Sequence, residues 1–274
     1  MVSDGVYKKT KREISKEYND ALEKSVKKTK DYYKTVEKVQ NGEIKPPSGL
    51  KTEKQIEAWK RGYLTRYAEK VEVVDTMVEE LEGAGVKCRK KITKMMEKTY
   101  GMENKATIET LDAEDIIVPK TEKQIKVLLD KEMSVLDKGA LGSLENGDLA
   151  RKRLRREMAQ GILKGEDDEQ MMKRIQRVTG MQESDARRVL ETERTRVIGM
   201  SQQATAEEYY QKTGKMPSKR WICSFHNSRE SHAGVHGITV KIDEVFPNGL
   251  RYPGDENAVA TETINCRCRM EIIK

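Results

Sequence analysis

Two cysteines near the end of the chain carry its clearest chemical signal. Cys266 and Cys268 flank a single arginine in "ETINCRCRM", residues 262–270. Residues two apart on a β-strand face the same side, so a strand here would direct both sulfurs to one place and Arg267 away from it. A disulfide between two cysteines this close in sequence does not form easily. The pair therefore indicates either a metal site or two buried thiols.

A structural zinc (Zn2+) site needs four nitrogen or sulfur ligands, and the same region offers them. The candidate ligands are His232, Cys266, Cys268 and Cys223, with His226 or His236 as substitutes. Their spacing is not that of a standard zinc finger or ribbon. The alternative is a small apolar core in which the thiols pack beside Trp221, with His232 hydrogen-bonded to Asp255 or to the backbone.

Catalysis at these residues is the less favoured hypothesis. Cys266 and His232 could act as nucleophile and base, and Glu230, His232, Asp255 and Glu262 could form a histidine–carboxylate site. The chain contains no glycine-rich phosphate loop, no nucleophile elbow and no HExxH motif. We therefore expect no enzymatic activity.

The composition favours long solvated helices over one large globular domain. The 274 residues include 53 Lys+Arg and 46 Asp+Glu, while hydrophobic residues make up 36% and aromatic residues 5%. Four cysteines are too few for a secreted disulfide scaffold, and the N-terminus has no apolar signal segment. No stretch approaches the roughly 20 apolar residues that cross a bilayer. We expect a soluble protein made in a reducing cytoplasm.

Helical periodicity extends over most of the first 212 residues. It predicts helices over residues 14–39, 51–81, 86–100, 149–165 and 183–212, with Gly83 and Gly85 ending the second. "KTEKQI" occurs at Lys51 and again at Lys120, and its threonine and glutamine form a capping-box pattern in both places. The acidic turn "GEDDEQ" places carboxylates at the start of a further helix after residue 165.

The helix predicted over residues 149–165 is the candidate for contacting nucleic acid. Its basic residues are Arg151, Lys152, Arg153, Arg155 and Arg156. Neutralising phosphates in this way is insensitive to base sequence and strongly salt-dependent. The basic runs lack interleaved aromatic residues, which argues against stacking on single strands, and the alternative is an ordinary solvated surface.

The residues after Pro217 have a different character, with alternating patterns that predict strands in "ITVKIDEVF" (238–246) and "CRCRMEII" (266–273). The predicted fold class is α+β, with an extended helical N-terminal part and a small C-terminal α+β domain with short strands. The predicted domains are residues 1–143, helical, residues 144–218, also helical, and residues 219–274, ending in the strand with the two cysteines.

The order of motifs between residues 186 and 269 resembles the head-morphogenesis, or Mu F-like minor head, proteins of tailed phages. The resemblance lies in "ETERTR", a tryptophan followed by "SRESH", "IDEVF", "NGLRYPGD" and "ETINCRC". Besides His232, Cys266 and Cys268, the matching residues are Trp221, Arg229, Gly237, Asp243, Phe246, Pro253, Asp255 and Asn265. Some relatives place cysteines near Arg229 and His232 and a histidine near Asp255. Only His232, Cys266 and Cys268 of that set are present here, so Cys223 or His226 would have to complete a metal site.

This resemblance implies a minor capsid protein, a low-copy structural component of the virion head, associated with the portal and present in the host cytoplasm during assembly. It implies a role in head assembly and in DNA packaging or ejection. It implies that residues 1–143 act as a docking scaffold for the portal or capsid. The expected partners are the portal protein and the major capsid protein, with non-specific binding of packaged double-stranded DNA and no membrane. The alternatives are an enzyme or toxin-like module with a His/Cys site, and a nucleic-acid-binding protein without a capsid partner.

Overall fold

The computed structural model describes residues 2–70, 72–116, 153–154, 156–158, 160–161 and 166–274. Its long helices are α1 (Asp4–Gln40), α2 (Glu53–Lys70), α3 (Val73–Thr110) and α4 (Asp168–Thr213). They are followed by β1 (Ser218–Ile222), α5 (Glu230–Ala233), β2 (Thr239–Lys241), α6 (Ala260–Thr263) and β3 (Arg269–Ile273). The predicted α+β class is confirmed. No helix within these ranges has the length and hydropathy needed to cross a membrane.

Side-chain caps begin two of the long helices. The Gln55 N–H donates to Thr52 Oγ1 at 3.3 Å and the Thr52 N–H donates to Gln55 Oε1 at 3.1 Å, which is the predicted capping box before α2. Asp167 and Gln170 exchange the same pair of bonds before α4. The second "KTEKQI", at residues 120–125, lies outside the described residues.

The predicted helix end at Gly83 and Gly85 is wrong. Helix α3 passes through both glycines. The helical backbone is broken instead between α2 and α3, where Glu72 has φ +48°. An interior glycine costs a helix only about 1 kcal/mol relative to alanine. Met77 and Leu81, on the same helix, are fully or almost fully buried, so burial of its apolar face offsets that cost. Likewise α4 begins at residue 168 and continues without a break through the predicted start at residue 183.

The chain divides into two compact units. One unit comprises Ser15–Lys87 and Ser143–Ser184. In it Tyr32 stacks on Tyr67 with ring centroids 6.2 Å apart, and the Arg174 guanidinium donates to Glu157 and Glu166. The other unit comprises Met1–Ile14, Cys88–Gly142 and Asp185–Lys274, and it contains the sheet and the predicted metal ligands.

The sheet has three antiparallel strands in the order β2-β1-β3. Trp221 on β1 is opposite Met270 on β3, and both side chains are buried. They belong to a core that also contains Cys223, Val235, Phe246, Leu250, Tyr252, Cys266 and Cys268. A second core joins Ile242 to Ala206 and Tyr209 of α4.

The strands are shorter than predicted. Strand β2 covers only residues 239–241, and Cys266 and Cys268 lie in the irregular segment before β3. Asn265, at φ +60°, interrupts the extended backbone, and its N–H donates to Thr192 Oγ1 on α4 at 2.9 Å. The Thr195 hydroxyl donates to the Cys266 carbonyl. The backbone at residues 265 and 266 thus bonds to helix α4 instead of pairing with a strand.

Candidate metal centre

Three metal-ligating atoms lie together in the core. His232 Nδ1 is 3.5 Å from Cys266 Sγ and 3.7 Å from Cys268 Sγ, and all three atoms lie within 4.8 Å of one another. Ligand atoms of a tetrahedral zinc ion, with its usual Zn–S and Zn–N distances, are about 3.5–3.8 Å apart. The three side chains are at most 4% exposed. Their separation and chemistry therefore fit one face of a zinc coordination tetrahedron.

His232 lies on the one-turn helix α5, which its neighbours fix in place. The Arg229 guanidinium donates to the Ile264 carbonyl at 2.7 Å and also to the Thr261 carbonyl, so the start of α5 is tied to the segment that leads to Cys266. The ring of Trp221 packs edge to face against the imidazole with centroids 5.2 Å apart. These contacts hold His232 opposite the two thiols.

Glu262 lies on the far side of the His232 ring. His232 Nε2 is 2.9 Å from Glu262 Oε2, although the contact lacks the alignment of a regular hydrogen bond, and Nε2 has no other partner among the described residues. The Ser231 hydroxyl donates to the same carboxylate oxygen at 3.0 Å. Histidines that bind metals commonly have a carboxylate beside the ring nitrogen that does not bind the metal.

The two thiols are coupled through a hydrogen bond. The bond from Cys268 lowers the pKa of Cys266, whereas the same bond and burial raise the pKa of Cys268 to about 12. Arg229 adds a positive charge that also lowers the pKa of Cys266. Cys266 is therefore the first of the pair to become a thiolate, the form that binds metals.

Cys223 belongs to the same core but lies outside the close triangle. Its Sγ accepts the Phe225 N–H at 3.4 Å, and its own N–H donates to His236 Nδ1 at 3.1 Å. The alternative ligands His226 and His236 are both exposed, and the His236 ring packs against Phe225. Among the four predicted ligands, the structure thus brings three together and places Cys223 beside them.

The remaining residues of the predicted motif have identifiable structural places. Trp221 and Phe246 are buried with their rings 5.1 Å apart, and Gly237 has φ +77° in the turn after α5. Asp255 does not contact His232; it accepts the N–H groups of Arg251 and Asn257, and these bonds outweigh burial and lower its pKa. The others are Arg229 and Asn265, described above, the buried Pro253, and Asp243, which is exposed in the turn after β2.

The predicted nucleic-acid residues are only partly described. Arg151, Lys152 and Arg155 lie outside the described residues. Arg153 and Arg156 are helical, Arg153 partly buried and Arg156 exposed. Their role in binding DNA stays a prediction.

The structure shows a second basic surface that the sequence analysis did not single out. A groove of about 490 Å³ lies between α1 and α3. Its lining residues are Val6, Lys9, Thr10, Glu13, Lys91, Lys94, Met95, Glu97 and Lys98. The available signal was the density of lysine in "YKKTKRE" and "KCRKKITKMMEK", but only the fold shows that the two segments face each other.

The chain from α4 to β3 therefore consists of a long helix and a small α+β region with a buried cluster of one imidazole and two thiols. Residues 152–271 match the family model described as Phage Mu protein F like protein. The predicted resemblance to this phage head morphogenesis family is confirmed over these residues. Searches of curated proteins and of solved structures gave no match for the chain.

Proposed function

We propose that this protein is a minor head protein of a tailed phage, a low-copy virion component that supports head assembly and DNA packaging or ejection. The observation that carries this proposal is the family match over residues 152–271. The packing of the motif residues around one core supports it, because Trp221, Phe246, Cys266 and Cys268 all belong to that core.

The cluster favours a structural role over a catalytic one. Cys266, His232 and Glu262 are arranged as a nucleophile, a base and an orienting carboxylate would be, which is the observation that favours an enzyme as the second candidate. However, His232 is 1% and Cys266 2% exposed, so in the described part of the chain neither side chain is open to a substrate. Buried thiols of this kind stabilise a fold.

The proposed partners are the portal protein and the major capsid protein, with packaged DNA as a non-specific third. The long helices provide surface for protein contacts. The groove between α1 and α3 is lined by four lysines and two glutamates, and this net positive charge supports contact with DNA.

Density-gradient sedimentation of a phage-producing lysate tests the proposal. An antibody against the chain follows it through free protein, empty heads and filled virions. We expect a few copies per particle that remain bound in high salt, with the major capsid protein as internal reference. If the chain stays entirely with free protein while heads form normally, the minor head role is ruled out.

A further inference from the structure

We propose that Cys223, His232, Cys266 and Cys268 bind one zinc ion, and that Glu262 orients His232 toward it. The inference concerns a metal site and holds whether or not the chain is a head protein. Three of the four ligand atoms already have the separations of zinc ligands. The surroundings of Cys223 and Glu262 support their roles as the fourth ligand and the orienting carboxylate.

Among the described residues, Cys223 is the candidate for the fourth ligand that is both buried and in the same core. His226 is exposed, and His236 uses Nδ1 to accept the Cys223 N–H. Four-ligand binding requires the Cys223 sulfur, which lies in the same buried core, to turn toward the open corner of the triangle. The site would then have three sulfurs and one nitrogen, which is a common structural zinc set.

The loop after Cys223 directs backbone donors at sulfur atoms. The Phe225 N–H donates to Cys223 Sγ, and the Ser224 N–H donates to Cys268 Sγ. Phe225 and Asn227 have φ +56° and +51°, a conformation that costs energy for a bulky residue such as phenylalanine. Backbone donors of this kind stabilise thiolates and metal-bound sulfur. A bound metal would therefore offset the cost of the loop's strained conformation.

Charge and hydrogen bonding also favour a bound cation. Three thiolates and a Zn2+ ion would carry one net negative charge, and the Arg229 guanidinium, which donates to the Thr261 and Ile264 carbonyls on the segment before Cys266, places a positive charge nearby. Glu262 would accept the proton that His232 keeps on Nε2 when Nδ1 binds the metal. That bond would give the buried Nε2 the partner it lacks.

A metal would join three separate segments of a small domain. Cys223 follows β1, His232 lies on α5, and the other two cysteines precede β3. The sheet has only three short strands, and small domains often gain the stability they need from a structural metal.

The experiment measures bound metal and ligand number on the full-length chain. Purification without chelator is followed by elemental analysis, and cobalt(II) substitution is followed by absorption spectroscopy. We expect about one zinc per chain and, for cobalt, a tetrahedral spectrum with sulfur-to-metal charge transfer. The variant Cys223→Ser should lose about one third of that charge-transfer intensity, because one of three thiolates is removed. Cys88→Ser, which removes a buried cysteine outside the cluster, is the matched control and should leave the spectrum unchanged.

Glu262→Gln tests the positioning role separately. It should weaken zinc affinity by about 10-fold to 100-fold, measured by competition with a chelator, while the cobalt spectrum keeps its shape. Glu230→Gln changes an exposed carboxylate on α5, the short helix that carries His232, and should have no effect. A wild-type chain that holds no zinc and shows the same melting temperature with zinc and with chelator would overturn the site. A cobalt spectrum unchanged in Cys223→Ser would overturn the four-ligand assignment.

Discussion

Lys219 is a buried ammonium group in the sheet. Its Nζ donates to Gln203 Oε1 and to the Ile242 carbonyl, each at 3.0 Å, and the residue is fully buried. Burial lowers its pKa to about 8, although Glu207 counteracts this in part. The unfolded chain has the ordinary lysine value, so the unfolded state binds more protons than the folded state between about pH 8 and pH 10.5. The contribution of Lys219 to stability therefore rises with pH across this window.

Replacing Lys219 by methionine should remove that pH dependence. The free energy of unfolding in urea is measured for both proteins at pH 7.5 and at pH 10. The difference between wild type and variant is then compared at the two pH values. We expect this difference to shift in favour of the wild type at pH 10, because the buried lysine no longer has to be charged. Comparing the two proteins cancels other groups that titrate in the same range. An equal difference at both pH values would show that Lys219 titrates normally.

Helix α4 packs closely on the turn at residues 252–254 because a glycine lies on each side of the contact, Gly199 on the helix and Gly254 in the turn. A Cβ added to Gly199 would lie 2.7 Å from the Pro253 carbonyl oxygen, and one added to Gly254 would lie 2.8 Å from the Arg196 Cα. Gly254 also has φ +81°, which disfavours any other residue. This contact holds α4 against the turn, whose Tyr252 belongs to the same core as Cys266 and Cys268.

Gly199→Ala should destabilise the protein by about 1–3 kcal/mol, because the clash is with backbone that cannot rotate away. Gly180→Ala on the same helix is the matched control, since nothing lies within 4 Å of its added Cβ. That control should stabilise by up to about 1 kcal/mol through better helix propensity. Thermal or urea unfolding measures both. Equal effects of the two substitutions would mean that α4 does not pack closely on the turn.

The sequence predicted the types of elements better than their ends. Periodicity and the Thr52–Gln55 capping box predicted long helices correctly because these are local signals. The helix end at Gly83 was wrong because burial elsewhere in α3 outweighs glycine propensity. Such burial depends on tertiary packing, which a single sequence does not show.

For the candidate site, the residue types indicated which side chains lie together better than the predicted strand over residues 266–273 did. The two sulfurs do face one imidazole, yet the segment that carries them is not a strand, because Asn265 and Cys266 bond to threonines of α4. The sequence suggested Glu262 beside His232 only as one of three carboxylates in a histidine–carboxylate site, and the backbone donors from Ser224 and Phe225 have no sequence signature. They depend on how distant segments meet.

At the scale of the whole molecule, positive charge accumulates where α1 and α3 meet. Lys9, Lys94 and Lys98 line the groove there, and none of them forms an ion pair with a described residue. Lysines contact phosphate oxygens as point charges without reading bases. No aromatic residue lines the groove, so it favours the backbone of a duplex over stacked single strands.

The triple variant Lys9→Glu, Lys94→Glu and Lys98→Glu should bind double-stranded DNA more weakly. If the three lysines contact phosphates, the slope of log affinity against log salt should become shallower by up to about 3. Filter binding of a random-sequence duplex at 50–200 mM salt measures both quantities. The change should be the same for duplexes of different sequence.

The matched control changes three exposed lysines outside the groove, Lys54→Glu, Lys215→Glu and Lys241→Glu. It alters net charge by the same amount, so a general electrostatic effect would weaken both variants equally. A specific contact predicts that only the groove variant loses affinity and salt dependence, since phosphate contacts act within about a Debye length, which is about 10 Å at 0.1 M salt. If both variants bind as the wild type does, DNA contacts another part of the chain or none, and an acidic protein surface becomes the partner to test.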